Sequence, residues 1–82
     1  MTPKVTTVGL GYIGLPTSAL IASNEVAVFG VDINPEVVST INQGKIHIVE
    51  PELDTIVAKA VKDGYLEAGP VRILVYNVPN SR

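Results

Sequence analysis

Three glycines and one aspartate are the residues whose types and spacing could do chemistry in this chain. Gly9, Gly11 and Gly14 form the pattern G-x-G-x-x-G, and Asp32 follows eighteen residues later. Between a strand and a helix, such a loop binds pyrophosphate, because the phosphates can approach the backbone and the free N–H groups of the helix N-terminus. A carboxylate at the end of the next strand accepts hydrogen bonds from ribose hydroxyls and repels a 2′-phosphate. The pattern therefore predicts dinucleotide binding, with NAD favoured over NADP.

Each position of the loop has an expected role. Gly9 permits a tight turn out of the strand, Gly11 lets a pyrophosphate approach the backbone, and Gly14 allows close packing of helix on sheet. The intervening residues are expected to lie along the cofactor, mainly through main-chain contacts. The predicted cofactor-binding residues are Gly9, Gly11, Tyr12, Ile13, Gly14 and Asp32.

The pattern alone leaves two alternatives open. A bare G-x-G-x-x-G is common by chance, so the glycines could serve packing only, with Asp32 as a cap near a helix. Domains that bind FAD or S-adenosylmethionine also share parts of the pattern. A strand before the loop, a helix after it and an acid at the right distance favour dinucleotide binding over these alternatives.

The segments around the loop alternate between strand-like and helix-like patterns. Apolar, β-branched runs predict three strands, over residues 4–10, 25–32 and 70–78. Apolar periodicity and capping residues predict three helices, over residues 12–23, 34–44 and 51–63. Residues 45–50 are predicted to form a loop. The alternation predicts an α/β fold: a Rossmann-like, partial doubly wound parallel sheet of about three strands, with helices on both faces.

The composition indicates one small domain and excludes several functions. Of the 82 residues, 46% are hydrophobic and 17% charged, unlike a disordered chain. The net charge is −2 and there is no basic stripe, so we expect no nucleic-acid or membrane partner. The uncharged stretch between Lys4 and Glu25 contains too many glycine and hydroxyl residues for a membrane span. The absence of cysteine rules out a cysteine nucleophile here and is compatible with the predicted cytoplasmic location.

The other polar residues provide no recognisable catalytic machinery. His47 is the only histidine, and without a cysteine or second histidine we expect no metal site. Glu50 and Glu52 could be interpreted as an acid–base pair, but acidic residues are common near helix N-termini. We therefore predict no catalytic residue and no metal ligand in this sequence.

Three segments resemble the N-terminal region of the UDP-glucose/GDP-mannose dehydrogenase family. They are V-G-L-G-Y-I-G-L-P-T, V-D-I-N and I-N-Q-G-K-I-H-I-V-E-P-E-L. The wider family shares G-x-G-Y-x-G-L-P and a later E-P-x-L. The I-H-I-V-E-P stretch, between Gly44 and Leu53, resembles the branch that oxidises UDP-N-acetyl-D-mannosamine. The resemblance covers about residues 4–68.

The resemblance implies an NAD-dependent oxidation of a sugar nucleotide in polysaccharide biosynthesis. The primary alcohol of the sugar becomes a carboxylate through an aldehyde and a cysteine thioester, and two NAD⁺ are reduced. By resemblance, Tyr12, Ile13 and Asp32 would contact NAD, and residues 46–52 would lie near the active-site cleft. A UDP-sugar would be a partner only in the full-length enzyme.

The sequence departs from the family in its last residues. Family members are several times longer, and their catalytic cysteine, lysine and asparagine lie far beyond Arg82. Asn77, Val78, Pro79 and Asn80 stand where the family typically has A-V-P-T-P, and the connection over residues 65–71 looks shortened.

Two functional hypotheses follow. In the first, residues 1–82 are one NAD-binding domain, a fragment of a longer dehydrogenase that is inactive alone. In the second, they are a non-catalytic remnant that self-associates into a homo-oligomer, since an unpaired strand edge invites pairing.

Overall fold

The computed structural model describes residues 3–71. Strands and helices follow one another in the predicted order of strand, helix, strand, helix, helix, strand. The elements are β1 (Val5–Val8), α1 (Gly14–Ser23), β2 (Val28–Asp32), α2 (Pro35–Asn42), α3 (Leu53–Lys62) and β3 (Leu66–Pro70).

The three strands form one parallel sheet in the order β1-β2-β3. Val5 lies opposite Val28 on the central strand, and Val28 lies opposite Leu66. Because the strands are parallel, β1 and β2 end at the same edge of the sheet. This edge carries the glycine loop after β1 and Asp32 at the end of β2. The predicted α/β, Rossmann-like class is confirmed.

One face of the sheet forms the core with the helices. Side chains alternate between the faces of a strand, so Val28, Leu66 and Ala68 share a face. They pack in one cluster with buried residues of all three helices, Leu15, Ala19, Ala22, Ile41, Leu53, Val57 and Ala60. The opposite face carries Val8, which is 70% exposed. Val31, which lies opposite Val8 on that same face, is fully buried, so the exposure of this face differs between β1 and β2.

Local signals account for the start of two helices. Asn34 caps α2, because its side-chain oxygen accepts the Glu36 N–H at 2.9 Å, and Pro35 occupies the first turn as predicted. α3 begins at Leu53, two residues later than predicted. Glu52 has a φ of 67°, a left-handed conformation that cannot belong to a right-handed helix. The loop predicted over residues 45–50 contains no helix or strand.

The third strand of the described residues lies in a segment that the sequence did not predict as a strand. β3 occupies Leu66–Pro70, a segment interpreted above as a connection, whereas residues 72–78 of the predicted strand lie outside the described residues. The segment L-E-A-G-P is poor in the β-branched and aromatic residues typical of strands. Contacts with residues distant in the chain stabilise this segment as a strand instead. The Asn42 amide donates to the Ala68 carbonyl and accepts the Ala68 N–H, both at 2.8 Å.

Candidate cofactor-binding site

The glycine loop runs from the end of β1 into the first turn of α1. Gly9 has a φ of +90°, which favours glycine, and its N–H donates to the Val31 carbonyl at 2.8 Å. A Cβ on Gly14 would lie 1.8 Å from the Gly9 oxygen, so no side chain fits there. A Cβ on Gly11 would have no atom of the described residues within 4 Å. Packing therefore explains the absence of a side chain at Gly14 but not at Gly11.

The N-terminus of α1 is open to a ligand. No side chain caps it, and its first turn contains no acidic residue. The first hydrogen bonds of the turn run from the Leu15 N–H to the Gly11 oxygen at 3.0 Å and from the Thr17 N–H to the Ile13 oxygen at 3.2 Å. The N–H groups that precede them point out of the helix and form the positive end of its dipole. A groove of about 510 Å³ lies here, lined by the loop, the end of β1 and Thr17.

Asp32 joins the end of β2 to this loop. One carboxylate oxygen, Oδ2, accepts the Leu10 N–H at 2.9 Å, and the other, Oδ1, accepts the Asn34 N–H at 2.9 Å. Leu10 and Asp32 are 22 residues apart in the chain, and their contact depends on the pairing of β1 with β2. Each carboxylate oxygen has a further lone pair that can accept another donor. The half-buried carboxylate is thus fixed in direction and still able to accept hydroxyl groups.

The two side chains predicted to flank the cofactor are exposed beside the groove. Tyr12 is 75% exposed and Ile13 is 82% exposed, and both line the groove at the N-terminus of α1. All six residues predicted from the sequence as cofactor-binding therefore lie on the loop or in hydrogen-bonded contact with it. The structure brings them together at the carboxyl edge of β1 and β2.

The sequence reasoning missed the role of Gly30 and the buried position of Leu10. Leu10 is 0% exposed and packs on β2, where a Cβ on Gly30 would lie 2.5 Å from the Leu10 Cδ2 atom. Gly30 therefore makes room for the side chain that anchors the loop. A glycine inside a strand pattern often marks such a close approach, and V-F-G-V-D contained that signal.

The other ionisable residues considered in the sequence analysis are not among those that line this groove. His47, Glu50 and Glu52 are exposed around the loop before α3. Near the end of α3, the Lys59 Nζ contacts the Asp63 carboxylate at 2.6 Å, and the hydrogen bond and charge of Asp63 raise the pKa of Lys59. Over residues 3–71, no group of three or more His, Cys, Asp or Glu side chains could hold a metal ion. No helix of the same range has both the length and the apolar character needed to cross a membrane.

The residues present fit a dinucleotide. A phosphate group needs N–H donors at an uncapped helix end, and α1 provides them beside a loop that leaves open space at Gly11. A ribose needs an acceptor that no internal cation neutralises, and among residues 3–71 the Asp32 carboxylate has only backbone N–H partners. The two requirements are met on neighbouring strands, as the dinucleotide-binding fold demands.

The chain is similar in sequence and in fold to several known dehydrogenases. The chain is 62% identical over 65 residues to UDP-N-acetyl-D-mannosamine dehydrogenase of Campylobacter jejuni, a match covering 79% of this chain and 16% of the relative. It is 61% identical over 64 residues to NDP-N-acetyl-D-galactosaminuronic acid dehydrogenase of Ralstonia nicotianae, covering 78% and 15%. A ternary complex of GDP-mannose dehydrogenase from Pseudomonas aeruginosa superposes with a TM-score of 0.79 at 32% identity, covering 80% and 15%.

The chain spans about one sixth of the length of these relatives, 15–16%. Residues 3–71 match the family described as UDP-glucose/GDP-mannose dehydrogenase family, NAD binding domain. The glycine loop, the N-terminus of α1 and Asp32 all fall within the matched range. The chain therefore belongs to the UDP-glucose/GDP-mannose dehydrogenase family, through its NAD-binding domain, and its cofactor is NAD.

Proposed function

We propose that this chain is the NAD-binding portion of a UDP-N-acetyl-D-mannosamine dehydrogenase. The observation that carries the proposal is the hydrogen bond, 2.9 Å long, between the Asp32 carboxylate and the Leu10 N–H of the glycine loop. In this proposal, Asp32 is the ribose acceptor, and the bond supports a position for it beside the N-terminus of α1, where the phosphates would bind. The identity of 62% to the Campylobacter jejuni enzyme supports the choice of sugar.

The proposed roles of the site residues follow from their positions. Gly11 leaves the space through which the pyrophosphate approaches the backbone, while Gly9 and Gly14 shape the turn. Tyr12 and Ile13 flank the cofactor at the mouth of the groove. Asp32 accepts hydrogen bonds from the adenosine ribose hydroxyls and disfavours the 2′-phosphate of NADP.

The complete reaction belongs to the full-length context in this proposal. There, the 6-alcohol of a UDP-sugar would be oxidised to a carboxylate with two NAD, in the cytoplasm and for polysaccharide biosynthesis. The 82 residues contain no cysteine to carry an acyl intermediate. We therefore expect no UDP-sugar-dependent NADH formation from this chain alone, measured by absorbance, and turnover above background would refute that expectation.

Calorimetric titration with NAD⁺ tests the binding function. We expect saturable binding that Asp32→Ala weakens about tenfold or more, because a charged hydrogen-bond acceptor is removed. Glu67→Ala is the matched control, since it removes the same charge from an exposed position on β3 and should leave the affinity unchanged. Absence of binding at millimolar NAD⁺ would remove the proposal.

Self-association of a non-catalytic remnant is the second candidate. Within residues 3–71, β1 pairs with β2 only, and Val8 is 70% exposed beside its outer edge. Such an edge can pair with another chain. Sedimentation at several protein concentrations distinguishes the candidates, because a chain that remains monomeric throughout would contradict self-association without affecting the NAD proposal.

A further inference from the structure

We propose that Asp32 is also a positioning residue for the glycine loop, which its carboxylate holds in the binding conformation before any cofactor arrives. The inference rests on the proposed function only for the identity of the ligand. It concerns the cofactor-free chain. In this proposal the Asp32 side chain links the glycine loop after β1 to the end of β2.

Leu10 is the residue through which Asp32 would act. Its side chain is fully buried and packs in the space that Gly30 leaves open on β2. Its N–H donates to the Asp32 Oδ2 at 2.9 Å. The residue is therefore held at two points, by packing on β2 and by a hydrogen bond to the end of the same strand.

Apart from Leu10, the side chains of the loop give it little packing support. Tyr12 and Ile13 are 75% and 82% exposed, so their side chains contribute little packing. In the part of the chain that the structure describes, Asp32 is the only side chain that accepts a hydrogen bond from an N–H of the loop. Without this bond, the loop would be held to β2 by the Leu10 side chain and the Gly9 N–H bond, and to α1 by the bonds that the Gly11 and Ile13 carbonyls accept.

The carboxylate is itself held from two sides. Its Oδ1 accepts the Asn34 N–H and its Oδ2 accepts the Leu10 N–H, each at 2.9 Å. An asparagine at position 32 has one acceptor oxygen and an NH₂ group that cannot accept, so it can keep only one of these bonds. A ribose binding to the remaining lone pairs therefore meets an acceptor that is already oriented by the phosphate-binding loop.

Amide hydrogen exchange of the cofactor-free, 82-residue chain tests the proposal. We expect Asp32→Ala to accelerate exchange of the Leu10 amide about tenfold or more, since a hydrogen bond to a charged group is lost. The Val28 amide, which donates to the Tyr65 carbonyl at 2.8 Å in the central strand, reports global opening. A larger acceleration of exchange at Leu10 than at Val28, each relative to the parent chain, supports the proposal, and equal acceleration at both amides overturns it.

Two further variants keep the test decisive. Asn34→Ala removes the side-chain cap of α2 but retains the main-chain N–H that Asp32 accepts. Any loss of stability in this variant should therefore not accelerate exchange at Leu10 more than at Val28. Asp32→Asn is the variant to use if Asp32→Ala does not fold, and it should loosen at least one of Leu10 and Asn34. If NAD⁺ fails to bind while Asp32→Ala frees Leu10, the proposed function fails and this inference stands. If NAD⁺ binds the parent chain and Asp32→Ala leaves the Leu10 amide unaffected, the proposed function stands and this inference fails.

Discussion

Gly11 and Gly14 lack a side chain for different physical reasons. At Gly14 a Cβ would lie 1.8 Å from the Gly9 oxygen, and a backbone oxygen cannot move without displacing the loop. At Gly11 the same atom would enter open space. Packing within the protein therefore requires glycine at position 14, and the proposed phosphate contact explains glycine at position 11.

This difference predicts opposite outcomes for two alanine variants. Gly14→Ala should lower the free energy of unfolding by about 1–3 kcal/mol, because overpacking forces a backbone shift. Gly11→Ala should change it by no more than about 0.5–1 kcal/mol, yet weaken NAD⁺ binding through steric conflict with the phosphates. Urea unfolding and calorimetry measure the two effects. A Gly11→Ala variant with unchanged NAD⁺ affinity would contradict the role given to this position.

At the scale of elements, β3 shows how a distant side chain completes a strand. The amide of Asn42, at the end of α2, bonds to both the N–H and the carbonyl of Ala68, each at 2.8 Å. It occupies the outer edge of β3 as a neighbouring strand would. At the end of the same strand, Pro70 has no N–H to offer a partner, so this edge is protected against pairing.

Asn42→Ala is therefore expected to destabilise the chain. Two hydrogen bonds of about 0.5–1.5 kcal/mol each would be lost, although water can replace part of them at a sheet edge. We expect the free energy of unfolding to fall by about 1–2 kcal/mol in urea titrations. Gln43→Ala, at the neighbouring exposed position, is the control and should stay within about 0.5 kcal/mol of the parent chain. Equal effects of both substitutions would show that the Asn42 bonds are not what stabilises β3.

The sequence predicted that the glycine loop and Asp32 share one edge of the sheet, but it did not predict the strand over Leu66–Pro70. Gly9, Gly11 and Gly14 follow a local pattern, and a parallel βαβ unit necessarily brings Asp32 to the same edge. The position of β3 depends on Asn42, 26 residues away, and on Gly69, where a Cβ would lie 2.6 Å from the Phe29 ring. Such contacts leave no periodic signal in the sequence. The segment L-E-A-G-P was therefore interpreted as a connection, and the apolar run predicted as the last strand lies, from residue 72 onward, outside the described residues.

At the largest scale, residues 3–71 match the NAD-binding domain of a family whose relatives are much longer than this chain. The match covers 79% of this chain but only 16% of the Campylobacter jejuni relative. Family membership and the NAD-binding fold are properties of residues 3–71, whereas sugar oxidation is a property proposed for the longer context. The central claim about this chain is accordingly binding of NAD⁺ at the glycine loop.

Amide chemical-shift mapping during an NAD⁺ titration tests that claim most directly. We predict saturable shifts for the amides of residues 9–14 and of Asp32, because these groups surround the proposed phosphate and ribose positions. The amides of Lys59 and Asp63, beside the C-terminal end of α1 and thus at the end of that helix opposite the glycine loop, should shift least and provide the internal control. Saturable shifts confined to residues outside the glycine loop, or no shifts at millimolar NAD⁺, would contradict the account.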